Sequence, residues 1–147
     1  MKIEYHVTSL ELSKKLKDIG LTSESCLFWW GRPNNFNVYG IAYVLDVISK
    51  DENYFAELYP AFTVAELMEM LPSILYSDTA SGCDFSLSIY KPNDYWHIGY
   101  FHGHQTKFMS SYPKLVDLLA ITIISLIENG TMELPNHAKN KSSEEAN

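Results

Sequence analysis

The hydrophobic and polar positions divide the chain into segments of two periods. The clearest is residues 60–72, PAFTVAELMEMLP. Val64, Leu67, Met68 and Leu71 recur at helical spacing and mark one buried face, with Glu66 and Glu69 turned to water. The ends of this helix are also written in residues. Thr63 is a good N-cap and Glu66 stands three positions on, a capping box. Phe62 and Leu67 fit the hydrophobic staple that accompanies it. Pro72 cannot continue a helix, so the segment is expected to stop near Leu71. The opening of the chain repeats this logic. Thr8 is the expected N-cap, Glu11 completes a box, and Val7 with Leu12 forms a staple. Leu12, Leu16 and Ile19 make the stripe, Lys14, Lys15 and Lys17 suit the C-terminal dipole, and Gly20 is a natural terminator.

Between the two helices, Cys26–Trp30 is a short apolar run that reads as a strand. Residues 31–35 carry turn chemistry, and Phe36–Asp46 reads as the returning strand, with a bulge or close approach at Gly40. Asp51–Tyr59 is expected to make a short helical turn closed by Pro60, and residues 73–82 a loop. From Phe85 the period becomes two. Phe85, Leu87 and Ile89 alternate with Ser86, Ser88 and Tyr90, and residues 91–94 hold a turn with proline at its second position. Tyr95–Phe101 returns with Trp96, Ile98 and Tyr100 on one face, and His104–Met109 is a candidate third strand after Gly103. A last helix spans about Pro113–Asn129. It is apolar most of the way round, so it is either central to the fold or part of an oligomer contact. This order predicts an α+β fold, an antiparallel sheet built from two hairpins with helices packed on one face. One globular domain is expected over residues 1–135, followed by a disordered polar tail over 136–147.

The segment 61–72, AFTVAELMEMLP, resembles the AFTVAEL-x-EMLP core of a family of small phage and prophage proteins. Residues 8–30, TSLELSKKLKDIGLTSESCLFWW, are similar to that family's N-terminal helix and first strand. The span Leu87–Gly130 matches its C-terminal half more loosely. This chain departs from the family pattern at VDLLAITIISL, where the family tends to carry Ala-rich segments. The shared motifs are caps and core positions. The resemblance implies a mobile-element setting and carries over no catalytic residue.

Composition adds a charge layout. The net charge is -7 and the chain holds 20% charged and 14% aromatic residues. The acids are concentrated. Residues 46–84 hold Asp46, Asp51, Glu52, Glu57, Glu66, Glu69, Asp78 and Asp84 against Lys50 alone, while the flanking parts are close to neutral. This segment is either a solvated face that favours solubility or an acidic patch that meets a basic partner. With no basic stripe, direct nucleic-acid binding is disfavoured. An acidic helix that mimics nucleic acid is compatible with the charge. The run Leu118–Ile127 is too short to span a bilayer, and residues 1–20 lack the apolar stretch of a signal peptide. A cytoplasmic protein is expected, in the host cell if phage-encoded.

Signals for chemistry are few. Cys26 and Cys83 lie far apart with no CxxC spacing and are expected as reduced thiols. Asp84 beside Cys83 disfavours an activated thiolate there. His102 and His104 flank Gly103, whose expected turn breaks any shared face, and no third ligand is placed. There is no GxSxG, HExxH or P-loop. No enzyme activity, metal or cofactor is called for. The reading that follows is a small binding protein of a phage or mobile element, docking on a host or defence protein. Its candidate contacts are Glu52, Glu57, Glu66 and Glu69. The alternative is a small-molecule binder with an aromatic pocket between the hairpins, near Trp29, Trp30, Tyr43, Tyr95 and Trp96. A homo-oligomer through the last helix also fits the pattern.

Overall fold

The computed structural model of the chain describes residues 2–21, 26–76 and 82–134. Among these residues, helices α1 (Leu10–Asp18), α2 (Val44–Ser49), α3 (Val64–Met70) and α4 (Leu115–Glu128) accompany seven strands. Strands β1 (Phe28–Pro33), β2 (Gly40–Tyr43) and β3 (Phe55–Ala61) form one antiparallel sheet in the order β2-β1-β3. Strands β4 (Ile74–Leu75), β5 (Phe85–Tyr90), β6 (Trp96–His102) and β7 (Gln105–Tyr112) form a second in the order β4-β5-β6-β7. The fold is α+β with antiparallel pairing throughout, and its strands are divided between two sheets rather than joined in one.

α4 organises the core. Val116, Leu118, Leu119, Ala120, Ile123, Ile124 and Leu126 are buried along it. They meet Leu16 of α1, Leu67 of α3 and the inner face of β6, Ile98 and Tyr100, in one apolar cluster. The all-round hydrophobicity of α4 therefore reflects cover from helices as well as strands, the central position that its pattern allows. Phe85, Leu87, Ile89 and Trp96 pack onto this cluster as the period-two reading expects. The Tyr100 hydroxyl donates to the Pro72 carbonyl at 2.7 Å and ties β6 to the end of α3.

The capping box of α3 forms as read. Thr63 accepts from the Glu66 amide at 3.4 Å and Glu66 accepts from the Thr63 amide at 3.2 Å. Met68, however, is 38% exposed, because the short helix buries only the Leu67 side. At α1 the N-cap is Ser9, not Thr8. Thr8 is drawn into the interior. Its amide donates to the Phe62 carbonyl at 2.9 Å. Its Oγ1 accepts from the Phe62 amide at 3.1 Å and lies 2.7 Å from Ser13 Oγ. Val7 bridges Thr63 beside it. Asp117 of α4 accepts from the Ser9 amide at 2.9 Å, and Lys114 donates to the Glu4 and Val7 carbonyls, so α4 also holds the first residues of the chain.

Three segments differ from the sequence expectation, all for reasons of pairing. β1 runs on through Pro33, so residues 31–33 are strand rather than turn. Residues 55–61 are strand β3, not a helical turn. Their partners on β1, Trp30↔Tyr59 and Gly31↔Leu58, supply the hydrogen bonds that a local turn would have to make alone. Pro60 sits inside β3, which is an edge strand, where a missing N–H is tolerated. The expected long strand 36–46 is short because β1 begins at Phe28. The ladder ends at Phe28↔Tyr43, Val44 makes one further bond to Leu27, and the backbone beyond closes on itself as α2. Within the expected loop 73–82, Ile74–Leu75 pair with β5 as β4. The tail expected over 136–147 lies outside the described residues.

Candidate functional site

The acids grouped in sequence are separated by the fold. Glu66 belongs to the capping box and its Oε2 also takes the Cys26 thiol at 3.6 Å. Glu57 faces Arg32 at 3.7 Å and accepts from the Tyr39 hydroxyl. Glu52 and Glu69 are exposed, but they flank opposite ends of β3, whose seven residues span about 20 Å. What stays together is a local group, Asp46, Asp51 and Glu52, all exposed on and just after α2.

The aromatic candidates are likewise divided. Trp29 and Trp30 stand on β1 in the first sheet, Tyr95 and Trp96 at the start of β6 in the second. Trp29 packs on the core, and Trp30 donates its indole N–H to the Thr8 carbonyl at 2.8 Å. Trp96 also packs on the core, with Lys91 over its ring. Tyr95 and Tyr43 are exposed. Tyr43 lies against Phe28 with ring centroids 5.0 Å apart.

Cys26 and His102 have structural partners. Cys26 is fully buried, and its thiol is pushed up to about 12, by burial first and by the Glu66 carboxylate next. It stays protonated at neutral pH and donates towards the Phe28 and Ala61 carbonyls and Glu66. His102 Nδ1 donates to the Asp84 carbonyl at 3.1 Å, and Gly103 turns with φ 58°, so His102 and His104 do not share a strand face. No cluster of three or more His, Cys, Asp or Glu with metal-holding geometry occurs among the described residues. No described helix is long and apolar enough to cross a membrane.

The corner made by β2 and α2 exposes large apolar side chains. α2 has no buried residue. Its Leu45 and Ile48, three positions apart and so on one face, are 76% and 73% exposed. Leu27, Phe28, Tyr43, Val44, Leu45 and Asp46 enclose a surface pocket of about 390 Å³, which makes the apolar side chains contiguous. At ~200 Å² per large side chain, Leu27, Tyr43, Leu45 and Ile48 together expose roughly 500 Å². That lies at the upper end of the ~300–600 Å² typical of the largest patch on a monomer, a patch that is often functional. Asp46, Asp51 and Glu52 outnumber Lys50 at its border. The other face of the corner opens into a cleft of about 530 Å³ between the first sheet and α2. Of the candidate acids Glu52, Glu57, Glu66 and Glu69 only Glu52 lies here, and the sequence expectation of a strand over 36–46 hides the apolar patch. The signal that finds it is the start of β1, which leaves residues after Tyr43 without a pairing partner.

No protein-family model matches the chain, and neither characterised proteins nor solved structures give a match.

Proposed function

We propose that the protein is a non-enzymatic binding protein that docks on another protein through the β2–α2 corner. The observation that carries this reading is a helix that buries none of its residues while holding Leu45 and Ile48 in water. An isolated six-residue helix has no stability of its own, and exposed Leu and Ile on it gain from cover. The partner surface that fits has an apolar centre for Leu27, Tyr43, Leu45 and Ile48 and basic groups for Asp46, Asp51 and Glu52. With this rim the contact approaches the ~800 Å² per partner of a standard interface. The acidic surface of the sequence reading is thereby narrowed to its part around α2. Glu57 pairs with Arg32 and Tyr39, Glu66 caps α3, and Glu69 lies apart. Taken with the phage and prophage setting that the resemblance implies, the target is a host or defence protein in the host-cell cytoplasm.

The test is photocrosslinking in cells with p-benzoylphenylalanine at position 45, with the same group at exposed Tyr90 of the second sheet as control. A discrete heterologous adduct is expected from position 45 only, and Asp51→Lys with Glu52→Lys should abolish it while leaving the melting temperature unchanged. A ladder shared with position 90, or an adduct formed only with a second copy of the chain, refutes the proposal. Rebinding of the purified partner should slow as salt rises, mainly through the on-rate.

A further inference from the structure

The cleft on the other side of α2 shares only Asp46 with the pocket of the apolar patch. Its volume of about 530 Å³ falls in the ~300–1,000 Å³ range of small-molecule sites. Phe36, Tyr39, Tyr54 and Phe55 line it, and α2 contributes Asp46 and Lys50. The Lys50 ammonium stands over the Tyr54 ring, 5.0 Å from its centroid.

The informative residue is Gly40. It is the register partner of Gly31, and the two glycines behave differently. A Cβ on Gly31 would lie 2.7 Å from the Phe55 ring, so packing requires glycine there. A Cβ on Gly40 would meet nothing within 4 Å, and Gly40 is not among the glycines of positive φ. Neither its backbone conformation nor its neighbours demand glycine. Gly40 is the exposed first residue of β2, and with no side chain it leaves its backbone open to the close approach of a ligand. Here the bare backbone lies on the wall of an aromatic cleft whose lining holds one carboxylate, Asp46, and one ammonium, Lys50.

We infer that the cleft binds a planar heteroaromatic ring carrying an anionic group, with a nucleoside monophosphate as the type. The ring lies on Gly40 among the aromatic side chains, where flat stacking needs the absence of a Cβ. Asp46 accepts from an amino group of the ring, and Lys50 pairs with the phosphate. This ligand reading does not depend on the docking surface, since Leu45 and Ile48 do not line the cleft.

The experiment is titration of the ¹⁵N-labelled protein with AMP, GMP, CMP and UMP, with adenosine and ribose 5-phosphate as the separate halves. Saturable shifts are expected at the Gly31, Gly40 and Ala42 amides with at least one nucleotide. Adenosine should bind at least fivefold more weakly than AMP if AMP is the nucleotide that binds, and ribose 5-phosphate should give no saturable shift there. Gly40→Val should lower nucleotide affinity at least tenfold with an unchanged or higher melting temperature, and Gly40→Ala should fall between. Lys50→Ala should remove the advantage of the phosphate and leave nucleoside binding as it was. Leu45→Ser should change none of these. The inference is overturned if no nucleotide gives saturable shifts at these amides, if Gly40→Val binds like the wild type, or if ribose 5-phosphate binds as tightly as the nucleotides.

Discussion

Replacing Thr8 with valine tests whether the interior hub at the start of α1 holds the two ends of the fold together. Valine keeps the shape of threonine and removes only the hydroxyl. In the structure that hydroxyl accepts from the Phe62 amide at 3.1 Å and bonds Ser13 Oγ at 2.7 Å, and Thr8, Phe62 and Ser13 are all fully buried. Thr8→Val leaves the Phe62 N–H without its acceptor, which costs about 1–3 kcal/mol for a buried donor. Ser13 can rotate its hydroxyl towards a helix carbonyl, so its loss is smaller, ~0.5–1 kcal/mol. The sum is about 1.5–4 kcal/mol, or a fall of roughly 5–12 °C in melting temperature for a chain of this size. If Thr8 were only the helix cap, the same change would cost ~1 kcal/mol. Ser9→Ala removes the actual cap, whose bond to Leu12 is long at 3.4 Å, and should cost no more than about 1 kcal/mol. Thr8→Ser keeps the hydroxyl and should lie closer to wild type than Thr8→Val. Urea unfolding followed by tryptophan fluorescence suits the measurement, because the Trp30 indole bonds the Thr8 carbonyl. The midpoint should move and the slope should not. A Thr8→Val loss below ~1 kcal/mol, or a Ser9→Ala loss larger than it, would refute the hub.

Leu67→Asp puts a carboxylate into the apolar cluster beneath α3 and should abolish the cooperative melt seen by circular dichroism. Thr63→Ala should cost ~1 kcal/mol in urea by removing one half of the capping box. Stability should fall as pH rises above about 9. Cys26 and Tyr100 are each held up at about 12 when folded, mainly by burial, against 9.0 and 10.0 for the ordinary groups. Between these limits the unfolded chain carries fewer protons, so each group lowers stability by up to ~1.4 kcal/mol per pH unit, and below pH 9 neither contributes a slope. Urea midpoints from pH 7 to 11 should show the fall, and Cys26→Ala should make it shallower. Gly31→Ala forces the Phe55 ring to move and should destabilise by ~1–3 kcal/mol, whereas Gly40→Ala should be neutral or slightly stabilising, a contrast that thermal melts resolve.

Local signals carried much of the fold. The box at Thr63 and Glu66, the alternation from Phe85 and the continuous apolar run of α4 each name an element from a few adjacent residues. The elements that escaped are decided at a distance. Residues 55–61 have a pattern that suits a strand or a turn, and β1 selects the strand by pairing with it. Val44–Ser49 is rich in strand-forming residues, yet the ladder has ended and only a helix satisfies its backbone. Thr8 and Ser9 are both competent caps, and the bridge between Val7 and Thr63 turns Thr8 inward and leaves Ser9 to serve. The candidate site suffers in the same way. Sequence proximity of acids says nothing about proximity in space when a strand of seven residues lies among them. Exposure of Leu45 and Ile48 depends on where a different strand begins.

The position of α4 has a consequence for how the protein is made. It follows every other described element in the chain, yet the buried faces of α1, α3 and β6 meet on it. A ribosome adds ~5–20 residues per second, so both sheets and three helices emerge before their common support does. Until residue 128 leaves the exit tunnel, Leu16, Leu67, Ile98 and Tyr100 have no α4 to pack on, and the nascent chain is a substrate for chaperones and proteases. A reading-frame lesion after residue 114 would spare every strand codon and still yield a chain with no core. The message is in this respect all-or-none through codon 128.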